Sequence, residues 1–240
     1  MQTTQGTLLG GRVLHAQPAT GHRTSLEPVL LAASIPARPG QRVLEGGTGT
    51  AAALLCLATR MPGLAGTGIE RDANVADLAR RNIAANALPD LEIVTADLLA
   101  HTPPGAYDHA IANPPWHAEA ATPSPHPGRD TARRAPAGLI AAWAAALARP
   151  LRHRGTLTLI LGADHLAEGL AALTHAGCGS PVVFPLWPRP RRPARLVLLR
   201  AIRNARGPTR LAPGLTLHAD AGGYTPEADA ILRNAAALEL

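Results

Sequence analysis

Lysine is missing from this chain of 240 residues, so all 23 of its lysine-or-arginine positions are arginine. With alanine abundant and 23 glycines and 23 prolines beside it, that pattern reads as a genome-wide composition bias, and the identity of any one arginine carries little weight. The sign of the charge carries more. A codon bias exchanges one basic residue for another but does not create a formal net charge of +6, which fits a polyanionic partner. Cysteine is nearly absent too. Cys56 and Cys178 sit in apolar, alanine-rich stretches as small buried thiols do, which excludes a disulfide framework. The ten histidines form no close i, i+4 pairs and no Cys/His clusters, so no metal is expected. Met1 to Gly10 has no basic region leading into an apolar core, and no apolar run approaches the length of a membrane span. A cytoplasmic protein with no membrane partner is expected; nothing in the sequence marks its oligomeric state.

What is present is a strand–helix alternation that begins after Pro39-Gly40. Arg42-Val43-Leu44 ends at Glu45, glycine-rich Gly46 to Thr50 follows, and Ala51 to Arg60 is rich in helix formers. A second strand over Leu64 to Ile69 ends at Glu70, and a helix spans Ala73 to Ala87. Leu91 to Thr95 closes at Asp97 and Tyr107 to Ala112 at Asn113. A long loop runs from Trp116 to about Pro136. Beyond it come a helix at Leu139 to Ala148, a strand at Thr156 to Leu161 and a helix at Asp164 to Ala176. The last strands, Pro181 to Leu186 and Arg195 to Ile202, are joined by a proline-rich link too short for a crossover helix, which predicts an antiparallel final pair. Before the alternation only one helix is expected, over Pro28 to Ile35; near the end, Thr225-Pro226 predicts a helix to Asn234. This order predicts an α/β chain with a mostly parallel sheet. Glu45, Glu70, Asp97 and Asn113 would then share the rim beyond the carboxyl ends of the strands.

Gly47 and Gly49 let the backbone turn sharply and come close to a ligand at the start of a helix. Gly47-x-Gly49-x-x-Ala52 with Glu70 some 20 residues on also fits a dinucleotide fingerprint, so an NAD(P) oxidoreductase competes. Against it, Glu45 suits a cationic ligand better than a pyrophosphate, Asp97 offers an acceptor to an adenine amino group, and Asn113-Pro114-Pro115-Trp116 has no task in hydride transfer. Together the four positions resemble the Rossmann-like class I methyltransferase fold, a seven-stranded sheet with an antiparallel last strand and helices on both faces. That resemblance implies S-adenosyl-L-methionine as cofactor, its methionine part held by Glu45, Gly47 and Gly49, its ribose by Glu70 and its adenine by Asp97. Thr48 and Ala51 depart from the pattern, where cysteine and glycine are usual.

The motif specifies a planar amino nitrogen. Such a nitrogen is a poor nucleophile because its lone pair is delocalised, and acceptors for its two N–H groups draw that pair outward. Asn113 offers its side-chain oxygen, Pro114 a backbone carbonyl stiffened by Pro115, and Trp116 a face for stacking a base. Adenine N6, guanine N2 and the glutamine amide all qualify.

Over nearly the whole length the chain resembles the bacterial tRNA(Val) adenine-N6 methyltransferases. The likeness is carried by Gln17-Pro18, Gly21-His22-Arg23, Glu27, Leu30-Leu31-Ala32, Val43-Leu44-Glu45, Glu70-Arg71-Asp72, Thr95-Ala96-Asp97, Asn113-Pro-Pro-Trp, Pro123-Ser124-Pro125, Gly128-Arg129 to Arg133, and Gly223-Tyr224-Thr225-Pro226-Glu227. Glu27 replaces the usual aspartate and Trp116 the usual tyrosine. The resemblance implies a single domain, with residues 1–40 as an extension over the cofactor site, 41–203 as the core and 204–240 as a C-terminal extension. It adds Arg23, Arg71 and Leu98 to the cofactor contacts, and a tRNA substrate methylated at N6 of an anticodon-loop adenine. Arg129, Arg133 and Arg134 in the long loop, and Arg189, Arg191, Arg192 and Arg195 at the last hairpin, are candidate phosphate contacts. The competing readings are a protein glutamine N5-methyltransferase, for which forty residues before the first strand leave little room for a recognition domain, methylation of another RNA base, and a non-catalytic RNA binder.

Overall fold

The computed structural model describes residues 1–20, 24–115 and 138–240. Its elements follow in chain order: β1 (Thr3–Leu8), β2 (Val13–Pro18), α1 (Glu27–Ala33), β3 (Arg42–Gly46), α2 (Ala52–Arg60), β4 (Ala65–Glu70), α3 (Ala73–Ala85), β5 (Leu91–Thr95), β6 (Tyr107–Ala112), α4 (Leu139–Ala148), β7 (Leu151–Gly162), α5 (Leu166–His175), β8 (Cys178–Trp187), β9 (Leu196–Arg203), β10 (Arg210–Leu211), β11 (Leu215–Thr216) and α6 (Pro226–Asn234). The main sheet runs β10-β8-β9-β7-β6-β3-β4-β5, with β11 also on β8. Seven of its strands are the expected ones. β9 alone runs against its neighbours, β7 and β8, and β10 and β11 extend the β8 edge by two residues each.

Both faces of this sheet are covered, and alternation along each strand decides which side chain meets which layer. In β3, Val43 joins α1, α2, α3 and α6 in one core, while Leu44 joins α4 and α5 in the other. The helices begin where local chemistry dictates. Asp72 accepts N–H groups of Asn74 and Val75 at the start of α3, and Thr225 caps α6 through Ala228 with Pro226 behind it.

The β1–β2 hairpin is the element absent from the sequence reading. Its first strand, TTQGTL, shows no apolar alternation, so nothing local announces it. Its support comes from far along the chain. Asn82 on α3 accepts the Ala16 N–H (2.9 Å) and donates to Ala16 O (2.9 Å) and Thr50 O (3.0 Å). Asn86, one turn later, does the same for Leu14. Arg12 ties the hairpin turn to the carbonyl of Arg233 in α6. His15 meets the hydroxyl of Thr50 at 2.8 Å, so the hairpin also touches the glycine-rich loop.

Asn82 is buried and bonds through both its oxygen and its nitrogen, whereas the Asn86 bonds to Leu14 lie at the surface. Asn82→Ala therefore leaves buried backbone groups unpaired and should cost about 2–3 kcal/mol in denaturant unfolding, against about 1 kcal/mol for Asn86→Ala. Equal losses would show that the hairpin is not anchored through the buried amide.

Candidate active site

The chain leaves β3 toward β4 on one side, while β6 pairs on the other, so a crevice opens between β3 and β6 at their carboxyl ends. Register sets what meets there. Gly46 is paired with Ile69 and with Ala112, so Gly47, Glu70 and Asn113 leave three adjacent strands at one level. Glu70 is itself paired with Thr95, which brings Asp97 to the same rim.

Gly47 and Gly49 both take positive φ, +63° and +57°. A Cβ at Gly47 would collide with the Trp143 ring, whereas at Gly49 it would meet open space. Ala51 holds the left-handed conformation too, at φ +67° and fully buried. It keeps the backbone path of the glycine it replaces, at a cost of roughly 1 kcal/mol. Thr48 has a use that a cysteine serves less well: its hydroxyl donates to Glu45 Oε2 at 2.6 Å.

Glu45 is only 4% exposed and lies beneath the loop rather than along its outer surface. Burial pushes its carboxyl up to about 8, with the Thr48 hydroxyl and the Leu54 N–H acting in the other direction and the charge of Glu70 adding to the rise. Glu70 is half-buried and doubly tethered, accepting Gly49 N–H at 3.0 Å on one oxygen and Asp72 N–H at 2.9 Å on the other. Each oxygen keeps a second lone pair, an arrangement that suits the two hydroxyls of a ribose. Asp97 is exposed, its Oδ1 fixed by Leu99 N–H at 2.8 Å. Leu98 is buried in the core against Gly46, and at this turn it is Leu99, 47% exposed, that faces solvent. Arg71 is exposed beside Glu70. Asn113 is half-buried, Pro114 buried and Pro115 exposed. Arg23, Trp116, Arg129, Arg133 and Arg134 lie outside the described residues.

Because β8 runs parallel to β7, its end at Trp187 lies on the same rim, three strands from Asn113, or about 14 Å across the sheet. Exposed Arg189, Arg191 and Arg192 line a groove of about 510 Å³ there with Trp187 and Thr216, and Arg191 pairs with Asp220 at 3.2 Å. Among the described residues, no three His, Cys, Asp or Glu side chains converge on a metal position, and no helix is long and apolar enough to cross a membrane.

Two residues at the site escaped the sequence reading. Thr48 looked like a small-residue replacement. Trp143 carries no signal in an alanine-rich helix, and only its contact with Gly47 reveals it.

A crevice at the switch point, a glycine turn that admits no Cβ at Gly47, a tethered acid for a diol and a second acid at the next strand end fit an adenosyl amino acid. With the reversed seventh strand, this is the architecture of the class I S-adenosylmethionine-dependent methyltransferases. A predicted O-methyltransferase from Agrobacterium tumefaciens superposes with a TM-score of 0.75 at 25% identity, over 89% of this chain and 98% of that one. Residues 27–127 match the methyltransferase small domain. A tRNA1(Val) (adenine(37)-N6)-methyltransferase from Pseudoalteromonas translucida is 30% identical over 167 residues, 69% of this chain and 70% of that protein. A release factor glutamine methyltransferase from Chlorobaculum tepidum is 33% identical over 151 residues, 58% and 51% respectively. The chain belongs to the same methyltransferase family as the Pseudoalteromonas protein, with the small-domain match lying within it. The matched stretches span from 41% to 70% of the curated relatives' lengths. S-adenosylmethionine is the family's cofactor, which removes the nicotinamide reading of the glycine pattern.

The raised Glu45 pKa gives a pH signature. The folded chain holds this proton up to about 8 while the unfolded chain releases it near 4.5, so Glu45 contributes stability that is complete below 4.5 and lost as pH rises through 8. Glu45→Gln keeps the Thr48 bond without that proton. Its unfolding midpoint relative to the wild type should climb steadily between pH 5 and 8.5, reaching a few kcal/mol at about 1.4 kcal/mol per pKa unit. A flat difference would mean that the carboxyl is ionised in the folded protein.

Proposed function

We propose that the protein transfers a methyl group from S-adenosylmethionine to N6 of an adenine in the anticodon-loop region of tRNA. The observation that carries this is the β3–β6 register, which sets Asn113 beside Gly47 so that an amino-binding motif and the methionine-binding turn share one crevice. When bound, the cofactor supplies an electrophilic methyl on a sulfonium that departs as a neutral thioether.

The chain's own residues supply position and polarity. The Asn113 side-chain oxygen and the Pro114 carbonyl accept the two amino N–H groups and turn the nitrogen lone pair toward the methyl. Pro115 limits the backbone freedom of that carbonyl. The nitrogen–carbon bond forms as the carbon–sulfur bond breaks, and the proton left on the nitrogen passes to water; with a good leaving group no strong base is needed, and orientation supplies most of the acceleration. Trp116 stacks the base, which for a paired nucleotide means extrusion from its helix. Glu70 and Asp97 hold the ribose and adenine of the cofactor, Arg23 and Arg71 flank it, and Leu99 rather than Leu98 covers its base.

Two observations support tRNA as the polymer. The Pseudoalteromonas relative is named for adenine 37 of a valine tRNA, and the arginine groove lies on the same rim as Asn113, within reach of phosphates flanking a flipped base. Arg129, Arg133 and Arg134, outside the described residues, are further candidate phosphate contacts from the sequence. The Chlorobaculum relative favours a second one, methylation of a glutamine side chain in a release factor, for which the basic groove has no task.

Nucleoside mass spectrometry of tRNA from cells with and without the gene separates them: N6-methyladenosine should vanish from one tRNA. Unchanged levels throughout, with loss of methyl-glutamine from a release factor, would move the assignment to the amide. In purified protein, Asn113→Ala should lower kcat by about 10²–10³ while S-adenosylhomocysteine binding stays within about threefold.

A further inference from the structure

Trp143 lies in the second turn of α4, on the stripe with Ile140 and Leu147, yet it is only partly buried where those two are fully enclosed. The reason is where its ring ends. Gly47 stands one residue past the end of β3, and the outer ring atoms of Trp143 reach it. A Cβ at Gly47 would strike Cη2, with Cζ3 at 2.9 Å and Cζ2 at 3.6 Å. That order of distances is an edge-on approach in the ring plane, so both faces of the indole remain turned to the sides. The ring therefore stands at the rim, against the glycine turn that follows β3.

We propose that a face of Trp143 flanks the sulfonium of the bound cofactor and holds it by cation–π attraction, making Trp143 a positioning residue for the methyl donor. This rests on the cofactor assignment above. The sulfonium must lie between the turn that holds the methionine part and the Asn113 oxygen that orients the acceptor nitrogen. Register puts these two on adjacent strands at one level, and Trp143 touches the first of them. The local backbone gives the cation no help, because the loop opens into the N-terminus of α2, whose partial charge is positive. Glu45 lies below the loop, engaged with Thr48. An aromatic face is the partner that attracts a cation without itself needing a counter-charge. Packing alone asks only for an apolar side chain of similar size; the quadrupole is what tryptophan adds.

Titration calorimetry on the apoprotein with S-adenosylmethionine and with S-adenosylhomocysteine reads this directly, because the two ligands differ by the methyl and its positive charge. Trp143→Leu should weaken S-adenosylmethionine by about three- to thirtyfold and S-adenosylhomocysteine by less than about twofold, with Trp143→Phe between wild type and leucine. Circular dichroism and thermal melting confirm that each variant folds. Should the leucine variant fail to fold, the phenylalanine variant still carries the test, with a smaller loss confined to the charged ligand. Equal weakening of both ligands, or of neither, overturns the proposal and leaves Trp143 as a packing residue. If the wild type binds neither ligand, the cofactor assignment itself has failed, and the proposal with it.

Discussion

The register of β3 between β4 and β6 is the constraint on which the rest depends. Gly46 is level with Ile69 on one side and Ala112 on the other, and the glycine turn, the tethered acid and Asn113 inherit their common height from that pairing. A slip of one residue would exchange the two faces of the strand, sending Val43 and Glu45 toward α4 and Leu44 toward α2. Both cores oppose this. Leu44 is enclosed with Leu147 on one side and Val43 with Leu54 on the other, so site geometry is enforced by apolar packing that takes no part in the chemistry.

Within that frame the loop is held by bonds to its own floor. Thr48 N–H reaches Ile69 O at 3.0 Å, its hydroxyl reaches Glu45, and Gly49 N–H reaches Glu70. Gly68 makes room for this, since a Cβ there would lie 2.7 Å from the Thr48 methyl. Glu45 is the expensive member, since a carboxyl without water near it resists ionisation. Its position explains why threonine serves at 48, where the hydroxyl meets a lone pair that would otherwise be unsatisfied. It also explains the tolerance of Ala51. With the turn fixed from below at three points, the strain of one left-handed alanine is absorbed locally, and the methyl is buried in the α2 core.

The strands and rim acids were legible because each is written locally, as a short apolar run closed by an acid or amide. Residues 91–95, 107–112, 139–148 and 226–234 coincide with their elements to the residue. The fifth strand is longer than its apolar run, Leu151–Gly162, because its first half pairs through an irregularity near Tyr107 rather than through a hydrophobic pattern. What stayed hidden depends on partners distant in sequence. The β1–β2 hairpin is written in the two asparagines of α3, and the approach of Trp143 to Gly47 and of Leu98 to Gly46 in contacts made only on folding. Leu98 shows the limit well. Two adjacent leucines follow the acid in one turn, and sequence does not say which is turned inward; here Gly46 leaves the space that admits Leu98 to the core.

Chemistry at the rim and choice of polymer are separable, and they occupy different strands. In the proposed function, Asn113, Pro114 and Pro115 at the end of β6 select a planar amino nitrogen and are indifferent to what carries it. The groove at the end of β8 carries charge instead, with three arginines on a turn that Arg191 enters at φ +58°. A protein amide gains nothing from that groove, whereas a nucleotide chain must place phosphates somewhere within a few residues of its reacting base. The reversal of β9 is what brings the groove to the rim. Had β8 followed β7 through a hairpin, its end would lie at the opposite edge of the sheet, away from the crevice. Instead β9 lies between them, so that β8 runs parallel to β7 and the arginines face the same side as Asn113. The antiparallel seventh strand thus has a consequence beyond closing the sheet, since it sets the basic surface and the crevice at Asn113 on one rim.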